Sequence, residues 1–133
     1  VNSSKAKLMN KTGKVTLPEL ASIIQGTRFV VASESAAAHM AAALNIPVVC
    51  ILGGGHYGRF VPYPEDLRET GRNLPIAVNH NMDCYGCDWK CIYHLTNNQP
   101  APCIEKITID DVWVEVAKLI DRLTTSSSIE NIR

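Results

Sequence analysis

Two apolar runs, Phe29-Val30-Val31-Ala32 and Val48-Val49-Cys50-Ile51-Leu52, are strand-length, rich in β-branched residues and nearly free of polar groups. Runs of this kind predict parallel strands buried on both faces. The segment between them, Ser33 to Leu44, is alanine-rich and closed by Asn45 and Pro47, which predicts a helix. Strand, helix and strand make a βαβ unit, and ligands of such sheets bind where strands end and helices begin. Glu34, Ser35 and His39 fall at that edge.

Elsewhere the pattern is weaker. Val1 to Lys11 is polar and without period, as if it begins inside an element or linker. Thr16-Leu17-Pro18-Glu19 predicts a helix start, with Thr16 as cap, Pro18 in the first turn and Glu19 completing a capping box. Leu20, Ile23 and Ile24 follow at helical spacing, and Gly26 ends the pattern. Pro62, Pro64 and Pro75 mark an irregular stretch with one helical turn at 65–69. Ile76-Ala77-Val78 predicts a short third strand. Thr108, Asp110 and Asp111 open a last helix, whose apolar stripe is Val112, Val116, Leu119, Ile120 and Leu123. Residues 1–124 are expected to form one partial domain, with the serine- and threonine-rich stretch from 125 to 133 a flexible tail. Two strong strands and one weak one make a thin sheet, so the chain is expected to be incomplete at its N-terminal side, a piece of a larger protein.

Composition narrows the function classes. The chain has 133 residues, 46% hydrophobic and 20% charged, enough for one modest core. The 13 basic and 13 acidic residues cancel, and Lys5, Lys7, Lys11 and Lys14 are spaced rather than clustered. Nucleic-acid binding is therefore not expected. No apolar run approaches the roughly 18–20 residues of a membrane span, and the N-terminus has no apolar stretch of the secretory kind. Five cysteines, one of them Cys50 inside an apolar run, fit a reducing, cytoplasmic compartment better than a disulfide scaffold.

Three groups of residues carry candidate chemistry. Ser35 and His39 are four apart, so the imidazole should lean back over the helix start, where the amides of Ser35, Ala36 and Ala37 would attract an anion. Glu34 would repel a phosphate and suits a hydroxyl-bearing partner such as a sugar. Alternatively, Glu34 serves the helix N-terminus, His39 is a packed core histidine and the alanines provide close packing. The loop Gly53-Gly54-Gly55-His56-Tyr57-Gly58-Arg59-Phe60 leaves the second strand at the same edge. Its glycines would allow close ligand approach, with Gly54, His56 and Arg59 as contacts, or the loop is a flexible surface turn. It fits neither the phosphate-loop nor the dinucleotide fingerprint. Cys84, Cys87, Cys91 and Cys103 supply the four thiolates of a structural zinc site, or packed thiols, or disulfides on oxidation.

Several of these segments together resemble a known family. Thr12-Gly13-Lys14-Val15-Thr16-Leu17-Pro18-Glu19-Leu20, Phe29 to Ser35, and His39-Met40-Ala41-Ala42-Ala43-Leu44 with Pro47 resemble the C-terminal domain of glycosyltransferase family 9, the bacterial heptosyltransferases of lipopolysaccharide core assembly. The resemblance spans roughly residues 11–116 and includes the glycine loop and the late cysteines. It implies an α/β, Rossmann-like parallel sheet forming the donor-binding half of a GT-B fold. Glu34, Ser35, Ala36, Ala37 and His39 would meet the donor's diphosphate and sugar, and Lys14 and Val15 would lie near the base. Glu34 stands where Asp is commoner, and Ala36 where Gly is. The implied partners are an ADP-heptose-like donor, a lipid-linked saccharide acceptor and the N-terminal GT-B domain, which would supply the catalytic base. No cofactor is required, contact with the inner membrane would be peripheral, and the fragment alone is expected to be inactive. Two other readings remain, a nucleotide-sugar epimerase-like fragment and a non-catalytic zinc-stabilised interaction module.

Overall fold

The computed structural model describes residues 7–96 and 98–130. The start of the polar segment expected to begin inside an element (residues 1–6) and the last three residues of the expected tail lie outside them. Helix α1 spans Leu17–Gln25 with a complete capping box: Thr16 Oγ1 accepts from Glu19 N, and Glu19 Oε2 accepts from Thr16 N at 2.7 Å. Strand β1 (Val30–Ser33), helix α2 (Ala36–Ala43) and strand β2 (Val48–Ile51) form the βαβ unit. The chain turns out of α2 through Asn45, at φ 59°, in the left-handed conformation that asparagine tolerates. A 3-10 segment, Glu65–Thr70, stands where one helical turn was expected, and strand β3 (Ile76–Val78) follows.

The sheet is parallel throughout and ordered β1-β2-β3, with Val30 opposite Val48 and Cys50 opposite Ala77. A short helix α3 (Pro102–Glu105), which the pattern did not predict, precedes the long helix α4 (Ile109–Glu130). Thr108 and Asp111 repeat the capping-box chemistry at the start of α4, Asp111 Oδ2 accepting from Thr108 N at 2.8 Å.

Alternation along β2 sorts the core. Val48 and Cys50 face α1 and α2 with Ile24, Ala38 and Ala41, while Val49 faces α4 with Val78, Val116 and Leu119. β2 is therefore covered on both faces, as predicted. β1 is not. Its burial alternates, and Val31 is 45% exposed because α4 packs chiefly on β2 and β3.

Helix α4 continues into the stretch expected to form the tail, as far as Glu130. Thr124 and Thr125 turn their hydroxyls back onto Asp121 O, at 2.9 and 2.8 Å, and so do not compete with the helix. Among the described residues no helix is long and apolar enough to cross a membrane.

This layering separates positions that look alike in sequence. Leu52, fully buried where β2 ends, should lose about 2–5 kcal/mol on replacement by Ala. Val31→Ala on the open face should stay within about 0.5 kcal/mol. Urea unfolding midpoints of the two variants check the difference.

Candidate functional site

At the carboxyl end of the sheet, β1 runs through Glu34 into α2. Glu34 N donates to Ile51 O at 3.1 Å, which ties the turn to the end of β2. Ser35 is the N-cap of α2 in an extended conformation, but its hydroxyl donates to Ser33 O (3.1 Å) and makes no capping bond. The first turn of α2 thus keeps its positive end uncapped by any side chain.

His39 lies one turn on, its amide bonded to Ser35 O. It is half-buried, shares a hydrogen bond from Nδ1 to the Tyr63 hydroxyl (2.8 Å), and stacks on that ring with centroids 5.9 Å apart. Burial raises the Tyr63 pKa, which keeps this hydroxyl protonated. Phe60 approaches His39 edge-on at 6.5 Å. The second ring nitrogen of His39, Nε2, has no hydrogen bond among the described residues.

Glu34 is also half-buried, and its Oε1 is covered without any hydrogen-bond partner among the described residues. Desolvation pushes its pKa up, opposed by the nearby imidazoles of His56 and His39. Its charge also reaches Cys50, whose thiol is pushed up to about 11, chiefly by burial. Cys50 is accordingly an inert core residue.

The glycine loop is not the open, ligand-accommodating turn the sequence suggested. Gly53, Gly54 and Gly55 are buried, and protein occupies the space their missing side chains leave. A Cβ on Gly54 would stand 2.3 Å from the Tyr85 ring, and one on Gly55 2.4 Å from the Trp89 ring. Gly54 is therefore a packing position, with the Tyr85 ring over its α-carbon. Its carbonyl accepts from Gly86 N, and Gly55 O accepts from Asp88 N, at 2.8 and 2.9 Å. The segment that covers the loop is the cysteine-bearing one.

This docking carries backbone strain. Asp88 and Trp89 are consecutive non-glycine residues in the left-handed region, at φ 52° and 60°. Each costs about 1–2 kcal/mol by general steric argument, more tolerably for Asp than for Trp. The arrangement brings Asp88 Oδ1 to His56 Nε2 at 2.9 Å and to Arg59 Nη1 at 3.4 Å. Phe60 edges His56 at 5.5 Å as well as His39, so the glycine loop and α2 share one aromatic neighbour.

Not every expected residue joins this group. Lys14 and Val15 line a shallow groove along the start of α1 with Lys11, Pro18, Glu19, Ser22 and Ile23, and none of Glu34, Ser35 or His39 borders it. Ala36 is exposed and Ala37 half-buried in the first turn of α2. The four late cysteines do converge, lining a single small apolar cavity with Met82, Trp89 and Tyr93. All are free thiols, and among the described residues no three His, Cys, Asp or Glu side chains are grouped so as to hold a metal ion. As they stand, the thiols pack beneath the segment that clamps the glycine loop. Tyr63, Phe60 and Asp88 were absent from the sequence-based candidates. Tyr63 and Asp88 are 24 and 32 positions from the histidines they bond, and Phe60 meets His39 only through the fold.

A sequence profile of glycosyltransferase family 9 (heptosyltransferase) matches residues 1–86, which include α1, the βαβ unit, the glycine loop and β3. Comparison with curated proteins and with solved structures gave no match. The chain belongs to glycosyltransferase family 9. Membership places it among enzymes that pass a sugar from a nucleotide-sugar donor to a glycan acceptor, and the small parallel sheet agrees with a Rossmann-like fold.

The burial of Glu34 has a consequence for stability. Its carboxyl ionises higher in the folded chain than in the unfolded one, so between those two values the folded state holds the extra proton. Stability then falls as pH rises through that window, and the penalty remains at neutral pH. Glu34→Gln should melt above the parent chain at pH 7, with the gap closing as pH falls below the ordinary carboxylate value of 4.5. Thermal melts at both pH values check this, and a gap independent of pH would contradict it.

Proposed function

We propose that the chain is the donor-binding part of a heptosyltransferase-like enzyme, the C-terminal half of a GT-B architecture. It would hold a nucleotide-diphosphate sugar of the ADP-heptose kind for transfer to a lipopolysaccharide-type acceptor. The carrying observation is the unpartnered, covered Oε1 of Glu34 beside His39, at the carboxyl end of a parallel sheet. A buried carboxylate oxygen without a donor needs one from a ligand, and sugar hydroxyls supply donors.

In this reading the donor's diphosphate sits at the start of α2, where the uncapped amides and the free Nε2 of His39 oppose its charge. As the sugar–phosphate bond breaks, negative charge grows on the leaving diphosphate. Fixed dipoles aimed at that charge stabilise the transition state more than the ground state. Tyr63 keeps His39 turned for this task. Glu34 accepts from the sugar, away from the phosphates. The base that deprotonates the acceptor comes from the N-terminal domain. Residues Lys14 and Val15 would serve the nucleotide base, and the four cysteines would stiffen the segment over the glycine loop, with or without structural zinc. The compartment is cytoplasmic, at the inner face of the bacterial inner membrane, with peripheral contact only.

His39→Ala tests the phosphate role, because alanine keeps the helix. A hydrogen bond to a charged group contributes about 1.5–3 kcal/mol, so ADP affinity measured by calorimetry should fall ~10–150-fold with the melting temperature little changed. An unfolded variant, or unchanged ADP affinity, contradicts the assignment and returns His39 to a packing role.

A further inference from the structure

The clasp between His56 and Asp88 is more than fixing the glycine loop requires. The loop is already held by the backbone bonds from Gly86 and Asp88 and by Tyr85 and Trp89 packed on its bare α-carbons. Asp88 is 60% exposed at its side chain, and an exposed ion pair adds little to stability. Yet Asp88, which carries that carboxylate, and Trp89 are consecutive left-handed residues. Strain kept without a matching gain in stability is characteristic of functional sites.

The carboxylate fixes the chemistry of the imidazole. Asp88 can only accept, so Nε2 of His56 is the protonated nitrogen and the neutral ring carries its lone pair on Nδ1. Nδ1 has no hydrogen-bond partner among the described residues. His56 is 27% exposed at its side chain and touches Phe60 and Trp89 edge-on, and Phe60 in turn edges His39, on the first turns of α2 that follow Glu34. Two acceptors without partners, one a carboxylate oxygen and one an imidazole nitrogen, therefore stand at the same edge of the sheet.

Resting on the donor-site reading above, we propose that His56 Nδ1 is the second hydrogen-bond acceptor of the sugar subsite beside Glu34. The pair selects donors whose sugar offers two hydroxyl groups, and Asp88 is the positioning residue that sets the His56 tautomer. Arg59, paired with the same carboxylate, restrains Asp88 from the outer side.

The test compares ADP-mannose with ADP on the same chain by calorimetry, reading how many-fold the sugar tightens binding. His56→Phe keeps an aromatic ring against Phe60 and Trp89 but removes the acceptor. Asp88→Gly removes the carboxylate at a backbone angle glycine accepts freely. Each should cut the sugar's contribution roughly three- to tenfold, the worth of one neutral hydrogen bond, while ADP affinity and melting temperature hold. Asp88→Asn, which keeps an accepting oxygen, should retain more of the sugar's contribution than Asp88→Gly. If both variants weaken ADP and ADP-mannose alike, His56 acts on the phosphates or the loop and the inference is overturned. An unchanged ratio overturns it too. A parent chain that binds neither probe contradicts the donor-site reading itself, a failure visible before any variant is made.

Discussion

Three consecutive glycines at the end of β2 are the constraint on which this site depends. Nothing larger fits at Gly54 or Gly55, because the rings of Tyr85 and Trp89 lie where a Cβ would be. That contact draws the segment after β3 down onto the carboxyl edge of the sheet. It delivers Asp88 to His56 and places the thiol-lined pocket directly behind the loop. The edge then has two walls. One is the start of α2, with Glu34 and His39, and the other is the clamped loop, with His56 and Arg59. Phe60 touches both imidazoles and joins the walls.

The energetics of the two walls differ. The α2 wall is built on a core of small residues, with Ala38 and Ala41 fully buried against β2, so its position is set by packing density. The loop wall is held in a strained conformation by contacts from the cysteine segment. A covered carboxylate oxygen without a partner and a pair of left-handed residues are both departures from what stability alone favours. Both stand at the carboxyl end of the sheet, whereas at the amino end Arg72 closes the end of α2 by donating to Ala42 O and Ala43 O.

Much of the fold was legible because its signals are local. The capping box at Thr16 and Glu19, the alanine run closed by Asn45 and Pro47, and the apolar run at β2 each specify an element within a few residues. β1 misled because apolar content reports burial only when both faces find a cover, and α4 packs chiefly on β2 and β3. Thr124 and Thr125, read as the start of a tail, are accommodated in α4 because their hydroxyls bond Asp121 O on the preceding turn. In the candidate site, Glu34, His39 and His56 were legible from their place at strand and helix ends. Tyr63 and Asp88, 24 and 32 positions from the histidines they hold, were not, since tertiary contact alone pairs them. The room that Gly54 and Gly55 make for the Tyr85 and Trp89 rings was not legible either, since those rings come from the cysteine-bearing segment, after β3 in the chain.

In the function proposed above, the edge formed by α2 and the glycine loop receives a nucleotide-diphosphate sugar. The chain's four histidines make a direct probe of it, since His39 and His56 belong to that edge whereas His80 and His94 belong to the segment after β3. Imidazole proton resonances followed by nuclear magnetic resonance during titration with ADP-mannose should move for His39 and His56 along one saturating curve, with His80 and His94 still. Movement of His80 or His94 alone, or no saturable movement of His39 and His56, would contradict the account.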